Sequence, residues 1–228
     1  MRRKNQKDLS QTTDLALWGE RISDELVLTL LADEPAVCTA ALEVLRKRPP
    51  QAIPLDLILP YLQREEKYIR EAAIKTLMAA EQRVPIDPIL LALHDPEPEV
   101  RAAASHACMS LVEWFPDQIP LELLLQSLHD ESAAVREDVL DAFGKIPLRI
   151  PVEPVIASLT DPVHYVRCAA VETLGLMGER VPLSVYPVLQ EMSGSDVSAH
   201  VRQRAVRTLL LLHGMTPVPL TLPIINFT

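Results

Sequence analysis

A short phrase of sequence occurs four times in this chain. Its clearest copy is DPVHYVRCAAVETL at residues 161–174, and related copies occupy residues 95–104, 130–140 and 196–206. In every copy an Asp is followed six residues later by an Arg, and a Val stands directly before that Arg. Copies that begin 31 to 35 residues apart indicate an array of similar structural repeats that stack on one another.

A proline between aliphatic residues marks the other half of each repeat. Successive copies are 31, 35, 31, 31 and 37 residues apart, and the prolines are Pro54, Pro85, Pro120, Pro151, Pro182 and Pro219. Because proline suits the first turn of a helix, we predict that a helix A begins at each proline and runs for about ten residues. A second helix, helix B, is predicted at each Val-Arg pair, where apolar residues follow the i, i+3/i+4, i+7 spacing.

The composition supports an array of short helices. The chain has 20 prolines and 6 glycines, and 48% of its residues are hydrophobic although only 4% are aromatic. Proline at this frequency argues against a sheet, and the aliphatic content suits close packing between helices. Since neither helix of a pair can bury its apolar face alone, successive pairs must stack. We predict an all-α, right-handed α-solenoid of about six helix pairs, with degenerate copies at Ile69-Arg70 and Val37-Cys38.

The two ends of the chain are predicted to differ from the rest. Residues 1–12 are polar and basic, which predicts a flexible N-terminal tail before a single solenoid of residues 13–228. Residues 15–22 are expected to form a capping helix, with Trp18 covering the first repeat. Residues 218–228 are expected to form a half-repeat whose apolar side chains pack on the sixth repeat, namely Leu220, Leu222, Ile224 and Ile225.

The Asp-x5-Arg phrase and the proline-led helix A resemble HEAT repeats, in particular the short bacterial HEAT-like repeats related to those of bilin lyases. The resemblance is strongest in DPVHYVRCAAVETLGLMGERVP (residues 161–182) and DPEPEVRAAASHA (residues 95–107), and it covers about residues 22–226. The repeats here are shorter than usual HEAT repeats. The resemblance implies an α-α superhelix, which is a scaffold that serves many functions.

The resemblance also implies a structural role for the repeated Asp and Arg. Each Asp is expected to cap N–H groups of helix B and to reach an Arg of its own or the next repeat. Substrate binding by these residues is the alternative. The resulting structural ladder comprises Asp95, Arg101, Asp130, Arg136, Asp161, Arg167, Asp196 and Arg202.

The sequence contains no recognisable catalytic or metal-binding motif. His94 and His129 occupy the same place in adjacent repeats, but that place is Thr160 in the next repeat and Gln63 in an earlier one. The three cysteines form no CxxC pair and are expected to be buried thiols in a reducing compartment. We predict a protein that is not an enzyme, with no metal, no other cofactor and no small-molecule substrate. A bilin-lyase-like or chaperone-like enzyme subunit stays an alternative that the resemblance implies.

Charge is unevenly distributed along the chain. The net charge is −9, yet residues 85–200 hold 18 acidic against 6 basic side chains, a net −12. An acidic middle repels a phosphate backbone, so nucleic-acid binding is a further alternative that we do not favour. Its candidate basic residues are Arg202, Arg204 and Arg207, together with Arg2, Arg3, Lys4 and Lys7. The first residues lack an apolar stretch and no run of 18 apolar residues occurs, which predicts a cytoplasmic protein without membrane contact.

These observations favour a non-catalytic scaffold that binds another protein, one with basic segments. The resemblance to HEAT repeats implies that the contact surface is the concave surface formed by the exposed sides of the B helices. Its candidate residues are Lys75, His106, Glu113, Trp114, Glu137, Asp141, Glu172 and Glu179. Trp114 and Phe115 lie where the third repeat has four extra residues. They are expected either to fill a wider gap between repeats or to contact the partner.

Overall fold

The structure, a computed structural model, describes residues 34–214. Eleven α-helices and no strands occur within that range. The helices are α1 (Pro35–Arg46), α2 (Leu55–Ile58), α3 (Lys67–Met78), α4 (Ile86–Leu91), α5 (Pro98–Trp114), α6 (Leu121–Ser127), α7 (Ala133–Lys145), α8 (Val152–Ala157), α9 (His164–Met177), α10 (Tyr186–Ser195) and α11 (Ala199–Leu212). The predicted tail, the capping helix with Trp18 and the half-repeat at 218–228 lie outside the described residues.

The helices form repeating pairs. Helix α1 is the B helix of the first repeat, and five A–B pairs follow it from α2–α3 to α10–α11. The chain divides into two compact units, residues 1–107 and residues 108–228, with the boundary inside α5. In the first unit α3 packs on α1, and in the second unit α9 packs on both α7 and α11.

The two sequence landmarks supply the core. The aliphatic residue before each repeated Arg is at most 1% exposed, at Ile69, Val100, Val135, Val166 and Val201. The aliphatic residue before each proline is also buried, at Ile53, Val84, Ile119, Ile150 and Val181. Burial of these side chains removes apolar surface from water in every repeat, which is the main force that holds each pair together.

The predicted form of helix A was wrong in two respects. Pro54, Pro85, Pro120 and Pro151 are N-cap residues rather than first helical residues. Three of the four helices that follow them are short stretches of α-helix that continue as 3₁₀ turns, namely Leu59–Gln63, Ala92–His94 and Ser158–Thr160. In the second repeat Pro60 explains the change, because it has no N–H to donate to the carbonyl of residue 56.

The four extra residues of the third repeat lengthen a helix rather than a loop. Helix α5 has 17 residues, whereas α3 has 12 and α7 has 13. Trp114 therefore stands in the last turn of α5, and Phe115 follows it directly.

Candidate functional site

The repeated arginines join consecutive repeats. The Arg136 guanidinium donates from Nε and Nη2 to the two carboxylate oxygens of Asp161 in the next repeat, at 2.7 and 2.9 Å. Its Nη1 donates to the backbone carbonyl of Asp130 in its own repeat, at 2.7 Å. Both charged side chains of the pair are only 10 to 12% exposed. A two-point pair of this kind fixes both the distance and the orientation between neighbouring repeats.

The same geometry recurs in both compact units. Arg70 binds both carboxylate oxygens of Asp95 at 2.7 Å, and Arg167 binds both oxygens of Asp196 at 2.8 Å. The degenerate second repeat keeps this function although Arg64 stands where its Asp should be. Arg70 needs only the backbone carbonyl at that place, and Nη1 donates to the Arg64 carbonyl at 2.7 Å. At Asp95, Asp161 and Asp196 the side chain thus receives the Arg of the preceding repeat, while the backbone carbonyl receives the Arg of its own repeat.

The Asp side chains organise the turn before helix B, but not as helix caps. Asp130, Asp161 and Asp196 each accept a hydrogen bond from the backbone N–H two residues later, at 2.8 Å. These N–H groups belong to the N-cap residues Ser132, Val163 and Ser198, none of which makes a side-chain cap. The prediction that each Asp caps the first turn of helix B was wrong, because the Asp lies two residues before the N-cap.

Three carboxylates of the ladder, Asp95, Asp161 and Asp196, are held in their charged form. Burial raises the pKa of Asp161, but hydrogen bonds from Arg136 and the Val163 N–H outweigh it, and the pKa lies below its ordinary value of 3.8. The pKa of Asp95 is lowered by the same balance of burial against hydrogen bonds from Arg70 and the Glu97 N–H. For Asp196 the hydrogen bond from Arg167 is the largest cause of a lowered pKa.

Buried threonines form a second set of links that the sequence analysis missed. Thr173 of α9 donates its hydroxyl to the backbone carbonyl of Leu140 in α7 at 2.8 Å, and Thr208 of α11 donates to Val171 in α9 at 3.0 Å. Thr76 makes the corresponding bond to Leu42 at 3.1 Å. Each of the three stands seven residues after the buried aliphatic residue that precedes the repeated Arg, namely Ile69, Val166 or Val201. The sequence shows this spacing once the repeats are aligned.

The exposed side of the B helices within one compact unit is called the B-helix face of that unit. It is formed by α3 and the start of α5 in the first unit, and by the end of α5 with α7, α9 and α11 in the second. Two of its residues lie in the first compact unit, where Lys75 is exposed and pairs with Glu71 at 2.6 Å, and His106 is exposed on α5. In the second unit Glu113 pairs with Lys145 at 3.2 Å. Asp141 is exposed there, and Glu172 forms an ion pair with Arg204.

Glu179 lies beside this face rather than on it. The prediction placed it on helix B, but α9 ends at Met177 and Glu179 belongs to the 3₁₀ turn Gly178–Arg180. Gly178 ends the helix because its backbone adopts φ 58°, a conformation that glycine reaches without steric cost. The neighbouring Arg180 donates to the backbone carbonyls of Pro147 and Ile150 in the preceding repeat.

Negative charge is concentrated at Glu137 in the second unit. This side chain is half-buried on α7, and burial together with the nearby carboxylates Asp141 and Asp138 raises its pKa above the ordinary 4.5. Arg204 of α11 opposes that rise. Arg204 therefore belongs to the B-helix face, although the sequence analysis named it only as a possible contact to nucleic acid.

Comparisons with known proteins identify the repeats. The family model described as HEAT repeats matches residues 121–210, and the model described as HEAT repeat matches residues 86–115. This chain is a HEAT-repeat protein. No protein with a curated function matches it.

Solved structures place this HEAT-repeat protein in the α-solenoid fold class. The X-ray structure of YibA from Escherichia coli shares 21% identity at a TM-score of 0.69, covering 92% of this chain and 76% of YibA. A computationally designed armadillo repeat protein for modular peptide recognition shares 15% identity at a TM-score of 0.63, covering 82% of this chain and 98% of the design. A chain from the complex of CpcE and CpcF of phycocyanin lyase from Nostoc sp. PCC7120 shares 19% identity at a TM-score of 0.56, covering 84% and 77%.

The cysteines of this HEAT-repeat protein are poor nucleophiles. Cys38, Cys108 and Cys168 are all buried and free. Burial raises the pKa of Cys108 to about 12 and also raises the pKa values of Cys38 and Cys168. Since the thiolate is the reactive form, these thiols are suited to packing rather than to covalent chemistry.

Two further findings apply to the part of this HEAT-repeat protein that the structure describes. No group of three or more His, Cys, Asp or Glu side chains in residues 34–214 is arranged to hold a metal ion, and His94 and His129 are both exposed. None of the helices in the same range has the length and apolar character needed to cross a bilayer.

The two aromatic residues at the end of α5 are intermediate in exposure. The rings of Trp114 and Phe115 meet edge to face with their centroids 6.4 Å apart. Each covers part of the other while both keep a solvent-accessible surface. This geometry is compatible with both predicted roles, filling a gap or contacting a partner.

Proposed function

We propose that this HEAT-repeat protein is a non-catalytic scaffold that binds a protein with basic segments through the B-helix face of its second compact unit. The contact residues would be Glu137, Asp141 and Glu172, with Trp114 at the border. One of the proteins with a similar solved structure is an armadillo repeat protein that was designed for modular peptide recognition. A stacked array presents equivalent positions of successive helices, and a partner that contacts several of them gains multivalent binding.

The position of Glu137, half-buried on α7 beside the carboxylates Asp138 and Asp141, is the observation that carries the proposal. A carboxylate whose pKa is raised by burial and by like charges is in an unfavourable electrostatic environment when ionised. A Lys or Arg side chain of a partner would relieve that cost, so the same charges that repel one another attract a basic segment. The ladder carboxylates offer no such site, because each is already held by an arginine of the preceding repeat wherever the pair is described.

A basic peptide provides a direct test. Binding of a Lys-Gly repeat peptide to the full chain should weaken about tenfold when Glu137→Gln, Asp141→Asn and Glu172→Gln are combined. The matched control removes three exposed acids outside the B helices, through Glu122→Gln, Glu153→Gln and Glu191→Gln, and should change binding much less. Equal loss in the two triple variants would show attraction to net charge alone and would contradict the assigned surface.

The pH dependence of the same binding adds an independent readout. Because the ionised form of Glu137 is the form that attracts a cation, affinity should rise as the pH rises through the raised pKa of this group. The Glu137→Gln variant should lose that part of the pH dependence. Binding should also weaken as the salt concentration rises from about 50 to about 300 mM. Added salt shortens the Debye length and so screens the attraction between exposed charges. Affinity that ignores both pH and salt would contradict a charge-based contact.

The two alternatives receive less support from the geometry. The similarity to a chain of the phycocyanin lyase complex is at 19% identity and concerns the fold alone. Among the candidate bases for nucleic acid, Arg202 donates to the Asp196 carbonyl at 2.6 Å and Arg204 pairs with Glu172. Bilin transfer by the purified protein, or a shift of duplex DNA at low salt, would favour one of these alternatives instead.

A further inference from the structure

The last described helix pair carries an apolar groove of about 540 Å³. It lies between α10 and α11, and its lining residues are Tyr186, Gln190, Ser193, Val206, Leu209, Leu210 and His213. The Tyr186 ring meets the His213 ring edge to face at 5.2 Å, and the Tyr186 hydroxyl donates to the Leu212 carbonyl at 3.3 Å. One wall of the groove is therefore held in place by ordered contacts.

The preceding repeat shows what normally covers this side of a B helix. Val171 of α9 is fully buried and its carbonyl accepts the Thr208 hydroxyl of the next repeat. A Cβ on Gly175 would lie 3.1 Å from that hydroxyl oxygen. Val206 and Leu210 stand at the corresponding places, 35 residues later in α11. Val206 is 43% exposed, so within residues 34–214 nothing covers the surface that another repeat would cover.

The segment that follows α11 has the composition to fill the groove. Residues 215–228, MTPVPLTLPIINFT, contain no charged side chain, and their large apolar residues include Leu220, Leu222, Ile224, Ile225 and Phe227. The segment repeats the landmark that precedes each described A helix, since Val218-Pro219-Leu220 matches Val181-Pro182-Leu183. It also begins within two residues of His213, a lining residue of the groove. Covalent attachment at that point gives the segment a high effective concentration there.

We propose that residues 218–227 dock intramolecularly into the groove between α10 and α11. The aliphatic side chains of the segment cover Val206 and Leu210, whose counterparts in α9 are covered by the B helix of the next repeat. Docking removes an apolar surface on which a second copy of the chain could stack head to tail in a heterologous contact. The proposal is independent of the function assigned to the B-helix face.

Site-specific photo-crosslinking in the full chain tests this docking. A benzoylphenylalanine in place of Val206 should crosslink to residues 218–227 of the same chain. Mass spectrometry on a mixture of ordinary and ¹⁵N-labelled protein separates links within a chain from links between chains. A crosslinker in place of Val197, which is 92% exposed in the turn before α11, is the matched control and should give no such link.

A second variant distinguishes docking from mere proximity. Replacing Leu220, Leu222, Ile224 and Ile225 by Ser keeps the length and attachment of the segment but removes its apolar side chains. The crosslink from position 206 should then fall about tenfold, because apolar burial supplies the attraction. An unchanged yield in this variant, links predominantly between chains, or no link to residues 218–227 in the parent protein would each overturn the proposal.

Discussion

The Asp–Arg ladder and the B-helix face both consist of charged side chains, but these side chains differ in burial and in pairing. In the ladder the paired side chains are 8 to 12% exposed, and each described Arg–Asp pair makes two parallel hydrogen bonds between repeats. On the B-helix face the ion pairs Glu113–Lys145 and Glu172–Arg204 are 40 to 50% exposed. Buried two-point pairs fix how repeats stack, whereas exposed pairs contribute little to stability and can exchange partners. In the described pairs, charge that recurs at one register joins neighbouring repeats, and we propose that charge which varies from repeat to repeat serves recognition.

The largest expected effect is the loss of a ladder carboxylate. Asp161→Ala leaves the Arg136 guanidinium buried without its counterion and removes the hydrogen bond to the Val163 N–H. We expect the free energy of unfolding to fall by about 2–4 kcal/mol. Urea denaturation measures this. Asp161→Asn is the matched control, since it keeps an oxygen for the Val163 N–H and should cost less. Equal stability of the alanine variant and the parent would contradict a structural ladder.

Acid should remove the same stabilisation without any mutation. The folded-state pKa values of Asp95, Asp161 and Asp196 lie below the unfolded value of 3.8. Their contribution is therefore complete above pH 3.8 and is lost as the pH falls below 3.8 through the folded-state values. The difference in melting temperature between the parent and Asp161→Ala should shrink across that window. A difference that stays constant to the lowest accessible pH would show that ionisation of Asp161 is irrelevant.

A smaller effect is expected for the threonine links. Thr173→Val keeps the shape of the side chain but removes its hydrogen bond to the Leu140 carbonyl. Because the site is fully buried, the free energy of unfolding should fall by about 1 kcal/mol. Val171→Ile in the same helix would test packing instead of hydrogen bonding. If Thr173→Val raises stability, the hydroxyl is not a net stabilising contact.

The smallest effect is expected on the B-helix face. Glu113→Gln removes an exposed ion pair with Lys145 and should change the free energy of unfolding by less than about 0.5 kcal/mol. High salt should make the variant and the parent still more alike. A loss as large as that of Asp161→Ala would remove the distinction between the two surfaces.

Repetition determined which features the sequence could predict. The burial of Ile69 and Val166 and the helix at each Val-Arg pair follow from apolar spacing, so the all-α repeat fold was accessible from the sequence. The partner of each Arg could not be predicted from the sequence. An Asp six residues away in the same repeat and an Asp in the next repeat are equally plausible partners when only residue order is known. The folded backbone decides it, since Arg136 uses the carbonyl of the first and the carboxylate of the second.

The misses have separate physical causes. Thr76, Thr173 and Thr208 escaped notice because the same register holds alanine at Ala107 and Ala142, so no strict pattern marks the link. Glu179 was misplaced because the apolar spacing continues past the point where Gly178 turns the backbone. Membership of the B-helix face depends on side-chain exposure and on interactions between charged residues of neighbouring helices, such as Glu137 and Arg204. Neither can be predicted from the order of residues alone.

A double-mutant cycle between Arg136 and Asp161 tests the central claim most directly. The free energy of unfolding is measured for the parent, for Arg136→Met, for Asp161→Ala and for the double variant. If the pair joins its two repeats, the loss in the double variant should be smaller than the sum of the single losses by about 2 kcal/mol. Losses that add to within about 0.3 kcal/mol would mean that the two residues act independently, and the ladder would not be what holds these repeats in register.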